Sequence, residues 1–168
     1  MGDVVFVNPD SSLNAYQGLA ETFSAIEPPT WSLLLASAVQ KNGFKAAILD
    51  CDAEKLSLAE SVERLNDIDA RIIVFVLYGQ NPNSGTTSMI GAIKLAQAIK
   101  DAGISAPICF CGSHTQALPM GVLEYECIDL ILLNEGVYAL NNLLSSNLRD
   151  DLLTIKGIGH KQRGAPEL

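Results

Sequence analysis

Five polar clusters in this 168-residue chain each follow directly on a short apolar run, which is the spacing a ligand-holding surface needs. They are Asn8-Pro9-Asp10, Asp50-Cys51-Asp52, Tyr78-Gly79-Gln80-Asn81 with the residues on to Thr87, Gly112-Ser113-His114, and Asn134-Glu135-Gly136. Small residues let a bulky ligand lie against the backbone, and hydroxyls and free N–H groups supply hydrogen bonds to it. Gly79 and Gly112 read as points of close ligand approach, so a branched side chain at either is expected to cost affinity more than stability.

Groups for catalysis are sparse. The two histidines are His114, which reads as a ligand contact in the fourth cluster, and His160, which reads as solvated in a basic tail. Neither has the neighbours needed for a nucleophile, a base and an orienting group. Asp50, Asp52 and Glu135 lie in the same clusters, but aspartate at a strand end commonly caps the next turn. Cys51, Cys109, Cys111 and Cys127 show neither metal-ligand nor secreted-scaffold spacing and read as small buried hydrophobes in a reducing compartment. No G-x-x-x-x-G-K-S/T or G-x-G-x-x-G phosphate signature is present, and Tyr78 and Gly79 stand where a phospho-acceptor domain would carry an acid. No catalytic residue and no metal ligand is assigned.

The clusters must be positioned by the elements around them. Apolar runs at Val4–Asn8, Lys45–Asp50, Arg71–Leu77, Pro107–Cys111 and Asp129–Leu133 alternate with helical patterns, as in a parallel sheet covered on both faces. "PPTWSLLLASAVQKNG" has proline before its first turn and Gly43 at its stop; "SLAE" (Ser57–Glu60) is a capping box; "TSMIGAIKLAQAIKDAG" ends at Gly103. Shorter helices are expected after Pro119 and Gly136. The order predicts an α/β, flavodoxin-like (Rossmann-like) doubly wound fold with a five-stranded parallel sheet, and ligands bind such sheets outside the carboxyl ends of the strands. Residues 9 to 29 form a connection long enough to be functional. Residues 1–146 read as the domain and 147–168 as a linker.

Eleven Lys and Arg against nineteen Asp and Glu give a net charge of −8, which repels nucleic-acid backbones and anionic membranes. No apolar stretch approaches the roughly 20 residues of a membrane span, and the N-terminus lacks a signal pattern. A cytoplasmic protein with no nucleic-acid or membrane partner is expected.

Taken together, "PPTWSLLLASAVQKNGFKAAILDCDAEKLS", "VLYGQNPNSGTTSM", "CFCGSHTQALP" and "LLNEGVYAL" resemble the N-terminal cobalamin-binding domain of cobalamin-dependent radical S-adenosylmethionine enzymes. Those domains carry "xYGxxPxxST", "GGxH" with "ALP", and "GEG" in this order. Here Cys111 stands for the first Gly of GGxH, Asn134 for the first Gly of GEG, and Gly85 interrupts the hydroxyl run. The resemblance implies a cobalamin held by Asn8, Pro9, Tyr78, Gly79, Gln80, Asn81, Ser84, Thr86, Thr87, Gly112, Ser113, His114, Leu118, Pro119, Asn134, Glu135 and Gly136. It implies a downstream radical SAM domain in the same polypeptide, holding a 4Fe–4S cluster and S-adenosylmethionine, and a parent methyltransferase in which this domain alone is not catalytic. The D-x-H-x-x-G motif that supplies a cobalt-binding imidazole is missing after the first strand. Base-off cobalamin without a histidine ligand is therefore expected, its benzimidazole tail near Ser84 to Thr87. A flavodoxin-like module that binds a flavin or nucleotide, or serves assembly, is the alternative.

Overall fold

The computed structural model describes residues 2–10, 28–78, 82–146, 148, 154–162 and 165–168. Most of the connection expected over residues 9 to 29 lies outside them.

Strands β1 (Val4–Asn8), β2 (Ala46–Asp50), β3 (Ile73–Leu77), β4 (Ile108–Gly112) and β5 (Leu130–Leu132) pair in parallel in the order β2-β1-β3-β4-β5. Their apolar runs are continuous because both faces are covered. Val5, Val7, Ile73, Phe75, Phe110 and Ile131 face one layer; Val4, Phe6, Val74, Cys109, Cys111 and Leu132 face the other. Phe75 and Phe110, register partners on β3 and β4, pack with ring centroids 4.8 Å apart.

Helix α1 (Thr30–Lys41) enters through Pro28-Pro29 and buries Leu35, Ala36 and Val39 in the second layer. It stops at Gly43, whose φ of +87° favours a residue without Cβ. Helix α2 (Leu58–Ile68) starts at the expected capping box: the Glu60 N–H donates to Ser57 Oγ at 3.3 Å and the Ser57 N–H donates to Glu60 Oε2 at 2.9 Å. Helix α3 (Pro82–Asp101) lays Met89, Ala92, Leu95, Ala96 and Ile99 on the first layer. Short helices α4 (Ser113–Ala117) and α5 (Pro119–Leu123) follow β4, and α6 (Val137–Ser145) follows β5 onto the second layer. No helix among the described residues is long and apolar enough to cross a membrane.

The sheet departs from the sequence expectation at its far edge, where it has seven strands instead of five. β6 (Ile158–Gln162) pairs antiparallel with β5, and β7 (Ala165–Glu167) pairs antiparallel with β6. Both come from the tail read as a linker. Gly159, His160 and Lys161 deny this segment a continuous apolar run; alternation sends Ile158 and His160 to the face of their partners Leu132 and Leu130. His160 is therefore not solvated as expected: it is 8% exposed, with Nδ1 buried and without a hydrogen-bond partner. It lies beside the first residue of β5, at the amino ends of the parallel strands.

Candidate functional site

The carboxyl ends of the parallel strands gather the sequence-predicted residues among those described on one rim, and two hydrogen-bonded groups there tie together the segments after β3, β4 and β5. In the first, the Tyr78 hydroxyl, one residue past β3, donates to the Asn134 carbonyl oxygen at 2.7 Å. Gln116 Nε2, from α4, donates to the same carbonyl and to Tyr78 Oη, each at 2.8 Å. Burial, then the neighbouring Cys111 and Glu135, pushes the Tyr78 phenol up to about 12 against the hydrogen bond from Gln116, so at neutral pH it stays a donor. The ring also stacks on Trp31, with centroids 4.6 Å apart and planes 29° from parallel. Three segments following β3, β4 and β5 are thereby tied together with the start of α1.

In the second group, Thr86 Oγ1 and His114 Nδ1 lie 3.0 Å apart, a hydrogen bond whose donor depends on the ring tautomer. The contact joins the early turns of α3 to α4, and Gly85 makes it possible. A Cβ on Gly85 would meet Ser113 Oγ and come within 2.9 Å of the Leu77 carbonyl oxygen. The glycine that interrupts the hydroxyl run thus lets α3 pack closely on the ends of β3 and β4.

Gly112 corrects the expectation placed on it. Its φ is +151°, and a Cβ there would overlap the backbone carbonyl of its register partner Leu77. Glycine is required at this position by the sheet itself, before any ligand is considered. The other two departures from the family pattern are accommodated. The Cys111 side chain is fully buried in the layer beneath α6, and Asn134 takes φ +54°, a left-handed conformation that asparagine tolerates better than most residues.

At β1, Asn8 Nδ2 donates to Asp50 Oδ1 at 2.9 Å, and the Ala53 N–H donates to the same oxygen at 3.1 Å. Asp50 caps its turn as expected, while Pro9 is buried beside this pair. Thr87 is exposed on α3, and Ser113 opens α4. Leu118 is 57% exposed and Pro119 opens α5. Glu135 is exposed and Gly136, with φ +72°, caps α6. A cavity of about 370 Å³ opens beside them, lined by residues including Asn134, Glu135, Tyr138 and Lys156. Gly79, Gln80, Asn81 and the Ser84 side chain lie outside the described residues. The hydroxyl-rich run was expected to be loop as far as Thr87, yet α3 begins at Pro82, because proline is preorganised for a first helical turn. Sequence reasoning missed Gln116 and Trp31. Gln116 carries no signal of its own, whereas Trp31, the chain's single tryptophan, sits two residues after a helix-opening Pro-Pro pair.

All four cysteines are buried and unbridged. Burial pushes each thiol up, Cys111 to about 12, so none offers a thiolate at neutral pH. Among the described residues no group of three or more His, Cys, Asp or Glu side chains is placed to hold a metal ion.

Solved structures share this fold. The radical S-adenosylmethionine methyltransferase TsrM from Kitasatospora setae, solved with tryptophan substrate and the SAM analogue aza-SAM, superposes with a TM-score of 0.74 at 16% identity; the match covers 99% of this chain and 29% of that one. The same enzyme with cobalamin and a 4Fe–4S cluster bound gives 0.74 at 14% identity, over 99% and 28%. The cobalamin-dependent S-adenosylmethionine radical enzyme OxsB with aqua-cobalamin bound gives 0.70 at 19% identity, over 99% and 22%. The chain thus spans less than a third of the length of these proteins. No curated protein matches it. The B12 binding domain family matches residues 16–144, most of the chain, including strands β2 to β5 of the parallel core. The chain belongs to the B12 binding domain family.

Proposed function

We propose that this chain is the cobalamin-holding domain of a cobalamin-dependent radical S-adenosylmethionine methyltransferase of the cytoplasm, with base-off cobalamin seated on the carboxyl ends of the parallel strands. The observation that carries the reading is the pair of hydrogen-bonded groups at the rim of a B12 binding domain, Tyr78 with Asn134 and Gln116, and Thr86 with His114. These residues fit the cofactor's chemistry, since hydroxyl, imidazole and amide groups are available to its amides and phosphate while Tyr78 presents a fixed ring. Asn8, Pro9, Gly112, Ser113, Leu118, Pro119, Glu135 and Gly136 complete the surface, together with Gly79, Gln80, Asn81, Ser84 and Thr87. Bound cobalamin would supply methyl carriage. A downstream domain of the same polypeptide would hold the 4Fe–4S cluster and S-adenosylmethionine.

The reading without a histidine ligand to cobalt is supported by the missing D-x-H-x-x-G motif after the first strand and by the place of His160. His114 Nδ1 is engaged by Thr86, and His160 is buried at the opposite end of the sheet. No other histidine exists in the chain. The reading is tested by titrating the protein with hydroxocobalamin and, separately, with flavin mononucleotide, following absorption and thermal unfolding. A ligand held only by the folded state adds about 2.7 kcal/mol at about a hundredfold excess over Kd. Stabilisation by cobalamin alone supports the reading; no shift with cobalamin, or a shift with the flavin instead, refutes it.

A further inference from the structure

The stacked pair of Trp31 and Tyr78 has a feature that the fold does not explain. Tyr78 is fixed on three sides: its hydroxyl is held by Asn134 and Gln116, its ring edge packs on the layer beneath α1 and α6, and one ring face is covered by the indole. Trp31, by contrast, remains 37% exposed at the first turn of α1, on the rim side of the sheet. An aromatic ring held rigid and left in water is an unused apolar surface, and it costs little conformational entropy to cover. It stands on the α1/α6 side of the rim, whereas the polar pair Thr86–His114 stands on the α3 side. The rim therefore has an aromatic side and a polar side.

We infer that Trp31, braced by Tyr78, is a positioning wall that packs against the macrocycle of the bound cofactor, an addition to the ligand surface that no motif in the sequence announces. This rests on the cobalamin reading given above. A flat ring with apolar edges and amide-bearing side chains is the ligand chemistry that suits a rigid indole facing polar groups across a rim. The Tyr78 hydroxyl acts through the ring it orients, so it is part of the brace.

The test uses hydroxocobalamin with the whole chain, binding being read from the cofactor's own absorption after equilibrium dialysis. Trp31→Ala is expected to weaken binding about tenfold and Trp31→Phe to retain affinity within about threefold, since loss of a well-placed aromatic contact with its buried area is on the order of a factor of ten. Melting temperatures of the apo proteins check that the exposed indole contributes little to folding. A second readout needs no variant: the single tryptophan, labelled as 5-fluorotryptophan, gives one fluorine resonance, which should move when diamagnetic hydroxocobalamin saturates the protein. Wild-type binding that is unchanged in Trp31→Ala, or a fluorine resonance that stays in place at saturation, overturns the wall and leaves the cobalamin reading standing. Failure of the wild-type protein to bind cobalamin overturns both.

Discussion

Replacing Gly112 by alanine adds one methyl group and should damage the fold, with or without ligand. The added Cβ would lie 2.6 Å from the carbonyl carbon of Leu77 and 2.9 Å from its Cβ, and would overlap its carbonyl oxygen. Leu77 and Gly112 are paired across β3 and β4, both buried in the centre of the sheet, so neither strand has room to retreat. Two costs add. Holding a residue other than glycine at φ +151° is worth about 1–3 kcal/mol, and forcing an extra carbon into a packed interior another 1–3 kcal/mol or so. A total near 4 kcal/mol would remove a large share of a domain stability on the order of 5–15 kcal/mol. For a protein of this size that corresponds to a fall in Tm of about 8–16 °C. Urea unfolding of the apo protein, followed by far-ultraviolet circular dichroism, measures the loss directly. Gly121→Ala is the control: it lies within α5, a Cβ there meets nothing within 4 Å, and the change should be neutral or stabilising by up to about 1 kcal/mol. A Gly112→Ala loss below about 1 kcal/mol would refute the reasoning and return this glycine to a role in ligand approach alone.

Ser57→Ala removes the hydroxyl half of the capping box on α2 and should cost about 1 kcal/mol, read as a lower urea midpoint with an unchanged slope. Asp3 is held below the usual carboxylate value of 3.8 chiefly by the Lys45 backbone N–H, opposed by partial burial and aided by Arg71. Its contribution is therefore full above that value and is lost as pH falls through the lowered one; Asp3→Asn should be less stable than wild type at neutral pH and converge with it in acid, as successive unfolding curves would reveal. His114→Ala, once loaded with cobalamin, should keep the wild-type absorption spectrum, as the proposal of a cobalt without a histidine ligand requires; a changed axial-ligand signature would contradict this.

The parallel core was legible because its determinants are local. Five apolar runs mark the strands, Ser57 and Glu60 mark a helix start three residues apart, and Gly43 and Gly103 mark helix stops with φ of +87° and +76°. The four cysteines likewise proved buried, Cys109 and Cys111 within those runs. What escaped depends on partners distant in sequence. Gly112 looks like any turn glycine until Leu77 is placed beside it. His160 looks like part of a charged tail until the pairing of β6 with β5 turns its side chain inward. Helix α4 is five residues long without a side-chain cap, too short for a periodic pattern, yet it supplies Gln116 to the rim. Trp31 was readable as helical, but its stacking partner lies beyond two intervening strands and a helix in the chain.

The antiparallel extension has a consequence for how molecules of this protein meet one another. Without it, β5 would leave a row of unpaired amides in open solution, an invitation to another chain to add a strand. β6 covers that row, and β7 is the outermost strand among the described residues, three residues whose middle one is Pro166, opposite Lys161. Proline has no N–H to offer a newcomer, the flanking strand places Lys161 opposite it, and three residues give a short template for cross-chain pairing. Among the described residues this edge is thereby a poor template for joining one molecule's sheet to another's.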